Sequence, residues 1–561
     1  MTTKTLTHIE VTGIQNYIFG SNNLQQNIGA SELVRQVTQD WVANTLNEMG
    51  KRHNLRQDEK TREWLPVAAA ADDEAEVIYA RGGNALILFA GIPDDVAIPF
   101  VQQLSLKAIQ QARQLSLVVG HCPLNWERDA LSQKHVALRQ QVALRKQARS
   151  GDTPLLGLGV TAACVFTGMP AVKRDRENDD GENGQRISTA IKHKLCATQN
   201  GNDRLKRSLP LDTDIVDEFL SDFTLFGDRG EASYIAVVHA DGNGMGKRFA
   251  ALSDAFPRAA DNEKYIQQVR LLSQKINEQA LHALRETVRF LLDNYDARTD
   301  TFGGEVQVPE KNEIRYLPFR PLVFGGDDTT FVCDGRLGLS LAAHYLETLA
   351  QTPLPGPKPD SIGDPLYARA GIAVVKNHYP FSRAYELADD LSSSAKKAIK
   401  RITANDKGVT IDWHFATGGV ILPLAQLRDR EYTADNGKSL LMRPVRHDLG
   451  QSPPQGSRYW RSWDNFKKLT CEFQENKIWH QRRNKVKALQ EALRRGDQAV
   501  TLFLNQYDIQ DEHGKKQLPE IPGQSPTMMT SGWSGEDCGY FDAIEAIDFF
   551  VRLDKKKEAE E

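Results

Sequence analysis

The hydrophobic and polar positions of the chain follow one order of elements twice. In the first copy, a short apolar strand runs into THIEVTGIQ at residues 7–15, and apolar positions at helical spacing predict a helix over residues 30–46. A hairpin is then predicted, with strands at 76–79 and 85–89 joined by the turn RGGN. The first copy is therefore expected to run strand, helix, strand, Gly-Gly turn, strand.

The second copy repeats that order. A strand at 234–238 leads into HADGNGMG, a helix is predicted over 261–292, and strands at 321–324 and 329–333 flank the turn GGDD at 325–328. This order is typical of a ferredoxin-like palm, an antiparallel sheet with helices on one face. The duplication predicts two such domains in an α+β protein.

The remaining segments complete the predicted organisation. A further strand is expected at 367–375 and a helix from 381 to about 402, and the pattern beyond about 455 is mostly helical. At roughly 150 residues per domain, a chain of 561 residues is expected to hold three or four domains. The predicted domains are a first palm with the Gly-Gly-Asn turn (1–155), a small intervening domain (156–228), a second palm with the GGDD turn (229–430) and a C-terminal helical domain (431–561).

Composition narrows the class of protein. With 40% apolar and 26% charged residues, the chain resembles a folded globular protein rather than a disordered or a membrane protein. No run reaches the roughly 18 apolar residues that a bilayer span requires, and the first residues lack a signal-peptide core. The six cysteines form no CxxC pair, which favours reduced thiols. We therefore expect a cytoplasmic protein with no membrane partner, and the net charge of −4 argues against a dedicated nucleic-acid coat.

Three carboxylates carry the predicted chemistry. Asp241 ends the first strand of the second copy, while Asp327 and Asp328 lie in the turn of the hairpin beside it. Because neighbouring strands are roughly 5 Å apart, these side chains are expected to meet at one place. Hard oxygen ligands of this kind suit a pair of Mg²⁺ or Mn²⁺ ions, and we predict Asp241, Gly242, Asp327 and Asp328 as the metal site. Taken singly, each motif is also compatible with an ordinary hairpin turn or a calcium-type loop.

Glycines and cations around the carboxylates predict a nucleotide site. Glycine in the GGDD turn permits a tight bend and leaves room for a nucleotide, and glycines that open a helix expose N–H groups to a polyphosphate. Two lysines are candidate cations for phosphates, and one helix serine is a candidate base contact, although residues of these types on a helix are also typical of a solvated face. The predicted nucleotide-binding residues are Gly242, Asn243, Gly244, Met245, Gly246, Lys247, Ser273, Gly325, Gly326 and Lys396.

The predicted parts define a reaction class. A site with two divalent ions activates a ribose 3′-hydroxyl, holds an α-phosphate in line with it and neutralises the departing pyrophosphate. Asp241, Asp327 and Asp328 are the predicted catalytic residues.

Several segments together resemble a known family. They are GIQNYIF and GASELV in the first copy, HADGNGMGK and VFGGDDTTFV in the second, and GIAVVKNHYPFSRAYELADDLSSSAKKAIK after it. The chain is similar, from about residue 5 to about 415, to the large polymerase–cyclase subunit of type III CRISPR effector complexes. The resemblance implies two cyclase-type palms, an intervening domain and a C-terminal helical domain. It also implies conversion of ATP to cyclic oligoadenylate when a complex of effector subunits and guide RNA recognises target RNA.

Three departures from the family pattern change what the resemblance implies. The first palm begins by residue 5 and the only His-Asp dipeptide is His447-Asp448, so we predict the form without an N-terminal HD nuclease domain and no HD nuclease activity. The intervening domain of the family usually carries zinc-binding cysteines. Here Cys164 is one of them and Thr167 stands in place of its partner cysteine, so a zinc site is not expected in this domain. In the first copy, Glu10 stands at the position of Asp241 and the turn RGGN lacks aspartate. The first palm is therefore expected to bind an acceptor ATP or to have a structural role only.

Other functions remain open at this point. The basic segment at residues 482–495 is compatible with a non-catalytic scaffold that binds guide RNA and partner subunits. A cyclase that makes another AMP-containing signal would carry the same acidic residues. A free-standing diguanylate cyclase would prefer GTP, but it leaves the first palm and the C-terminal helices unexplained.

Overall fold

A computed structural model describes residues 3–148, 159–175, 184–226, 233–402, 407–418, 422–449, 460–480, 482–510, 514–523 and 526–554. The α+β class is confirmed, with two separate main sheets and helices between and around them. The boundaries predicted at 155/156 and 228/229 lie outside the described residues.

The first sheet lies entirely within the first copy. Its strand order is β4-β5-β1-β6, all antiparallel, and α5 packs against β1 and β6. The elements are β1 (Thr3–Thr12), α1 (Ile14–Phe19), α2 (Leu24–Thr38), α3 (Asp40–Glu48), β2 (Leu55–Gln57), β3 (Trp64–Pro66), β4 (Ala75–Arg81), β5 (Asn84–Ala90), α4 (Ala97–Gln111), β6 (Ser116–Asn125) and α5 (Leu131–Ala148).

The helix expected at 30–46 is two helices. It starts earlier than predicted because Asn23 caps α2, its side chain accepting from the N–H of Gln26 at 3.2 Å, and because Leu24 and Ile28 add to the buried face. Gln39 separates α2 from α3, so the apolar pattern continues across a break that periodicity alone does not reveal.

The segment between the two copies holds β7 (Ala171–Asp175), β8 (Gln185–Ser188), α6 (Thr189–Ser208) and β9 (Glu218–Phe219). Helix α6 crosses α2 so closely that a Cβ on Gly29 would lie 1.7 Å from the carbonyl oxygen of Lys194. The intervening segment therefore packs tightly against the first palm, and its C-terminal end lies near the second palm.

The second sheet has the order β16-β17-β10-β20-β21-β22 in the described residues. Its elements and those around it are β10 (Tyr234–Gly242), α7 (Met245–Ala255), α8 (Asn262–Asp293), β11 (Tyr295–Asp296), β12 (Thr301–Phe302), β13 (Val306–Gln307), β14 (Glu310–Lys311), β15 (Ile314–Leu317), β16 (Phe319–Val323), β17 (Asp328–Asp334), α9 (Gly338–Leu349), β18 (Pro353–Pro355), β19 (Ile362–Pro365), β20 (Ala368–Lys376), α10 (Phe381–Ile402), β21 (Val409–Ala416), α11 (Leu424–Glu431) and β22 (Val445–His447).

One pair of strands departs from the expected antiparallel sheet. Strands β20 and β21 are parallel, because α10 carries the chain back across the sheet between them. Gly371 permits this crossing, since a Cβ there would lie 1.9 Å from the carbonyl oxygen of Ala388 on α10. Helix α10 therefore rests directly on β20.

The last part of the chain is mainly helical, as expected, but it also contributes β22 to the second sheet, where β22 pairs with β21. Its other elements are α12 (Trp463–Glu475), α13 (Arg483–Arg495), α14 (Asp497–Gln506), α15 (Pro526–Ser531), β23 (Trp533–Ser534), β24 (Asp537–Cys538) and α16 (Phe541–Glu545). The basic segment at 482–495 corresponds to α13, which buries Val486 and Leu489 and pairs Arg483 with Asp548.

The two palms pack on each other in a reciprocal way. Helix α8 of the second palm lies on β4 of the first, and α2 of the first lies on β16 of the second. Arg270 on α8 pairs with Glu76 on β4 at 2.9 Å, and Tyr265 hydrogen-bonds to His135 on α5 at 2.8 Å. One continuous apolar core extends through both palms, so the cavity between them has fixed walls.

Candidate active site

The end of β10 brings the predicted carboxylates together. Asp241 pairs in register with Asp328 on β17, and the N–H of Gly242 donates to the carbonyl oxygen of Asp327 at 3.0 Å. A Cβ on Gly242 would lie 2.9 Å from the Cβ of Asp327. The three aspartates therefore meet at one end of the central strand pair, as the strand pattern predicts.

The carboxylates are crowded enough to change their acidity. Desolvation by the surrounding protein is the main cause that raises the pKa of Asp328 to about 6, although 51% of its side-chain surface remains exposed. The negative charges of Asp241, Asp327 and Asp389 add to the rise, and His239 opposes it. Burial, followed by the charge of Asp241, also raises the pKa of Asp327. The site holds more negative charge than its protein neighbours neutralise.

A buried arginine occupies the other side of Asp241. Arg369 pairs with Asp241 in register from β20 and forms an ion pair with its carboxylate. Its second terminal nitrogen donates to the side-chain oxygen of Asn243 at 2.9 Å and to the carbonyl oxygens of Asp241 and Gly242, each at 3.3 Å. Arg369 thus holds the loop that follows β10, and the Gly242 carbonyl predicted as a metal ligand is engaged with it.

His239 and Asp389 are site residues that the sequence reasoning missed. His239 is two residues before Asp241 and therefore on the same face of β10. Its Nδ1 lies 3.3 Å from Asp328, and its Nε2 lies 3.4 Å from Asp389 on α10. Although burial opposes it, the carboxylates of Asp328 and Asp389 raise the pKa of His239. The sequence signal that could have identified His239 is a histidine two residues before Asp241 in an otherwise apolar strand.

The donor set fits divalent cations in its chemistry but is not a preformed coordination sphere. Among the residues that the structure describes, no three His, Cys, Asp or Glu side chains stand in metal-ligand geometry. Asp241 turns toward Arg369 instead. Desolvation, with a further contribution from neighbouring carboxylates, raises the pKa of Asp327 and of Asp328, and a bound Mg²⁺ or Mn²⁺ would stabilise their charged forms.

The glycines have different local roles. Gly325 has φ +97° and Gly244, which precedes α7, has φ +71°, conformations that other residues adopt at a cost. A Cβ on Gly246 would meet nothing within 4 Å, so the start of α7 is open to a ligand. Asn243 is buried, and its side-chain nitrogen donates to the carbonyl oxygen of Gly408 at 3.0 Å, so it supports the loop.

A cavity of about 360 Å³ between the palms is lined by four of the predicted nucleotide-binding residues, namely Met245, Ser273, Gly325 and Gly326. Ser273, Met245 and the turn residues Gly325, Gly326 and Asp327 line its second-palm side. The size is within the range of small-ligand sites. Ser273 thus faces the same space as the first three residues of the GGDD turn.

The two predicted lysines are exposed. Lys247 lies in the first turn of α7. Lys396 follows Ala395, whose carbonyl oxygen accepts from Thr410 at 3.1 Å, and Thr410 pairs with Arg369 on β20. Lys396 is therefore level with Asp241 along the sheet, at the end of α10 nearest the site.

The first palm contributes the opposite wall of the cavity. Glu10 pairs in register with Asn84, as Asp241 pairs with Asp328, and Glu10 also forms an ion pair with Lys146 at 2.5 Å. Only Gly82 and Gly83 separate the paired ends of this hairpin. The GGDD loop is wider, since Val323 pairs with Thr330. Asn84 stands where Asp328 stands in the second palm, and the two turn residues are glycines, so this turn presents no carboxylate.

The remaining predicted features have these positions. Cys164 is buried, and Thr167 hydrogen-bonds to Ser188 at 3.3 Å. His447 is buried in β22 with Nε2 4.0 Å from Glu347. No helix in the described part of the chain is long and apolar enough to span a bilayer.

The geometry defines a protein with two palms that face each other across a cavity, one of them with an intact acidic site. No family model matches the chain, and no curated protein matches it by sequence. Its fold is similar to that of Csm1. The Csm1–Csm4 cassette in complex with AMPPNP is 12% identical and has a TM-score of 0.51, over 98% of this chain and 70% of that one. The cassette in complex with cA4 is 12% identical and has a TM-score of 0.50, and Csm1 in T. onnurineus is 13% identical and has a TM-score of 0.51. Each match covers 98% of this chain and 70% of the other chain. The resemblance seen in the motifs is confirmed as a likeness of fold, including the two-palm architecture.

Metal binding at this site is expected to weaken in mild acid. A cation must displace the proton from Asp328, whose pKa is about 6. At pH 5.5 only about one molecule in four carries the charged carboxylate, so the affinity for Mn²⁺ should be about fourfold lower than at pH 7.5. Titration of Mn²⁺ followed by electron paramagnetic resonance measures this difference. An affinity that is the same at both pH values would contradict the assignment of Asp328 as a ligand.

Proposed function

We propose that the chain is the nucleotidyltransferase subunit of a type III CRISPR effector complex and converts ATP to a cyclic oligoadenylate. The observation that carries the proposal is the meeting of Asp241, Asp327 and Asp328 at the end of β10, beside a cavity that the first palm closes. The likeness of fold to Csm1, which has been solved with AMPPNP and with cA4, supports the same conclusion.

The proposed division of labour follows from the placement of the residues. Asp241, Asp327 and Asp328 would hold two Mg²⁺ or Mn²⁺ ions, which when bound supply charge neutralisation at the α-phosphate and lower the pKa of the attacking hydroxyl. The open start of α7 presents N–H groups to the polyphosphate of the donor nucleotide. Lys247 and Lys396 add positive charge near the pyrophosphate, and Ser273 contacts a base.

The first palm would bind the acceptor ATP. Its wall of the cavity has one acidic side chain, Glu10, which is paired with Lys146. Such a wall does not gather the charge that divalent ions require, and it would contact the second nucleotide opposite the GGDD turn. The 3′-hydroxyl of that acceptor would attack the α-phosphate of the donor, forming a phosphodiester and releasing pyrophosphate. To close the ring, the 3′-hydroxyl at one end of the chain would attack the α-phosphate of the 5′-triphosphate at the other end and release a further pyrophosphate.

The test uses the chain assembled with its partner effector subunits, guide RNA and matching target RNA. With ATP and Mg²⁺ or Mn²⁺, we expect release of pyrophosphate and a cyclic adenylate in the mass spectrum. If pyrophosphate is released but the product is a linear AMP conjugate, the proposed nucleotidyl transfer stands and the proposed product is wrong. A fully assembled complex that releases no pyrophosphate and gains no thermal stability from ATP would instead indicate a scaffold.

A further inference from the structure

A buried carboxylate outside the aspartate cluster is shared by two arginines from different parts of the chain. Glu63 lies directly before β3, and its side chain is 8% exposed. One of its oxygens is 3.3 Å from a terminal nitrogen of Arg81, and the other is 3.4 Å from Nε of Arg204 on α6. Glu63 is therefore the counter-charge for two guanidinium groups at once.

Each arginine is connected to one of the two Gly-Gly turns. Arg81 ends β4 and directly precedes the turn of the first palm. Arg204 donates from its Nη2 to the carbonyl oxygen of Phe324 at 3.2 Å and lies over the ring of Phe324 at 4.1 Å. Phe324 directly precedes Gly325. A chain of contacts therefore runs from the first turn through Arg81, Glu63 and Arg204 to the GGDD turn.

The two connected turns are opposite walls of the same cavity. Arg81 and Gly82 line one side, and Gly325 and Gly326 line the other. In a reaction between two bound nucleotides, a misplacement of about 1 Å can cost about 100-fold in rate. The rate of such a reaction therefore depends on the distance between the two turns.

We propose that Glu63 is a positioning residue that fixes the separation of the two Gly-Gly turns through Arg81 and Arg204. This role rests on the proposed function, because it sets the alignment of the acceptor and donor nucleotides. Although burial opposes it, the guanidinium groups of Arg204, Arg81 and Arg35 hold the pKa of Glu63 below its ordinary value, so the carboxylate is charged at neutral pH. Without that charge, two buried guanidinium groups would face each other and repel, and the turns would move apart.

Glu63→Gln tests the proposal because it keeps the size of the side chain and removes the charge. We expect kcat for nucleotidyl transfer by the assembled complex to fall about tenfold while KM for ATP changes by less than about twofold, since alignment rather than binding is lost. The matched control is Glu76→Gln. Glu76 also pairs the two palms, through Arg270 at 2.9 Å, but it contacts neither turn, so its kcat should stay near that of the wild type.

Hydrogen–deuterium exchange gives a readout that does not depend on activity. In Glu63→Gln, peptides covering 79–86 and 322–330 should both exchange faster than in the wild type, whereas Glu76→Gln should leave both unchanged. Arg204→Lys keeps the charge but loses the planar fork that reaches Phe324, so it should loosen 322–330 and spare 79–86.

The two readouts separate the possible failures. Wild-type exchange in Glu63→Gln overturns the positioning role, whatever its activity. Faster exchange together with wild-type kcat also overturns it, because the separation would not matter for the reaction. Faster exchange in a complex whose wild-type form releases no pyrophosphate would refute the proposed function while the anchoring of the turns by Glu63 stands.

Discussion

Replacing Asp327 and Asp328 together by asparagine should lower nucleotidyl transfer by roughly a thousandfold, equivalent to about 4 kcal/mol in the barrier. The substitution keeps the shape of the GGDD turn and removes the two charges that would hold the divalent ions. Pyrophosphate release by the assembled complex measures the effect. Asp254→Asn, on the exposed side of α7, is the matched control and should retain activity. A double variant with more than a few per cent of wild-type activity would contradict the two-ion assignment.

The same double variant should also be more stable than the wild type at pH 8 without metal. The folded-state pKa of Asp328 is about 6, above the ordinary value of 3.8, so folding disfavours its charged form. That penalty is fully present above pH 6 and disappears as the pH falls toward 3.8. Thermal unfolding should therefore show a higher Tm for the variant at pH 8 and a smaller difference at pH 5. A Tm that falls at pH 8 would mean that lost activity reflects damage to the fold.

Gly242→Ala should lower the rate by about 100-fold through a displacement of about 1 Å in Asp327. A methyl group at this position would lie 2.9 Å from the Cβ of Asp327 and 3.3 Å from Cγ of Met245. The φ of Gly242 is not positive, so the effect is steric and not a matter of backbone strain. Steady-state kinetics with ATP measures the change. Gly418→Ala, where a methyl group meets nothing within 4 Å, is the control and should behave as the wild type. Unchanged kinetics in Gly242→Ala would show that Asp327 tolerates displacement.

The acidic motifs were predictable because each one is a local sequence pattern beside a predicted strand. Strand alternation and the turn residues place Asp241 and Asp328 on paired strands, and the observed register has them directly opposite. The long helix of the second copy, expected at 261–292, is found at Asn262–Asp293, since its apolar face repeats over eight turns and buries against both palms.

What could not be predicted depends on contacts between distant segments. Arg369 and Asp389 join the site only because β20 and α10 fold back over β10. The link from Glu63 to Arg204 joins residues 141 positions apart, and neither side chain differs in pattern from a solvated charge. The turns RGGN and GGDD look alike in sequence, yet strand pairing makes the first a two-residue hairpin and the second a wider loop.

The strand Val445–His447 has a consequence for the second palm during its synthesis. Strand β21 is buried along its whole length, and β22 covers the edge of its first three residues, 409–411. A ribosome-bound chain that has emerged only as far as residue 430 would expose that edge, which is a template for pairing with another molecule. Protection from aggregation during synthesis therefore waits for a segment that lies beyond every acidic residue of the site.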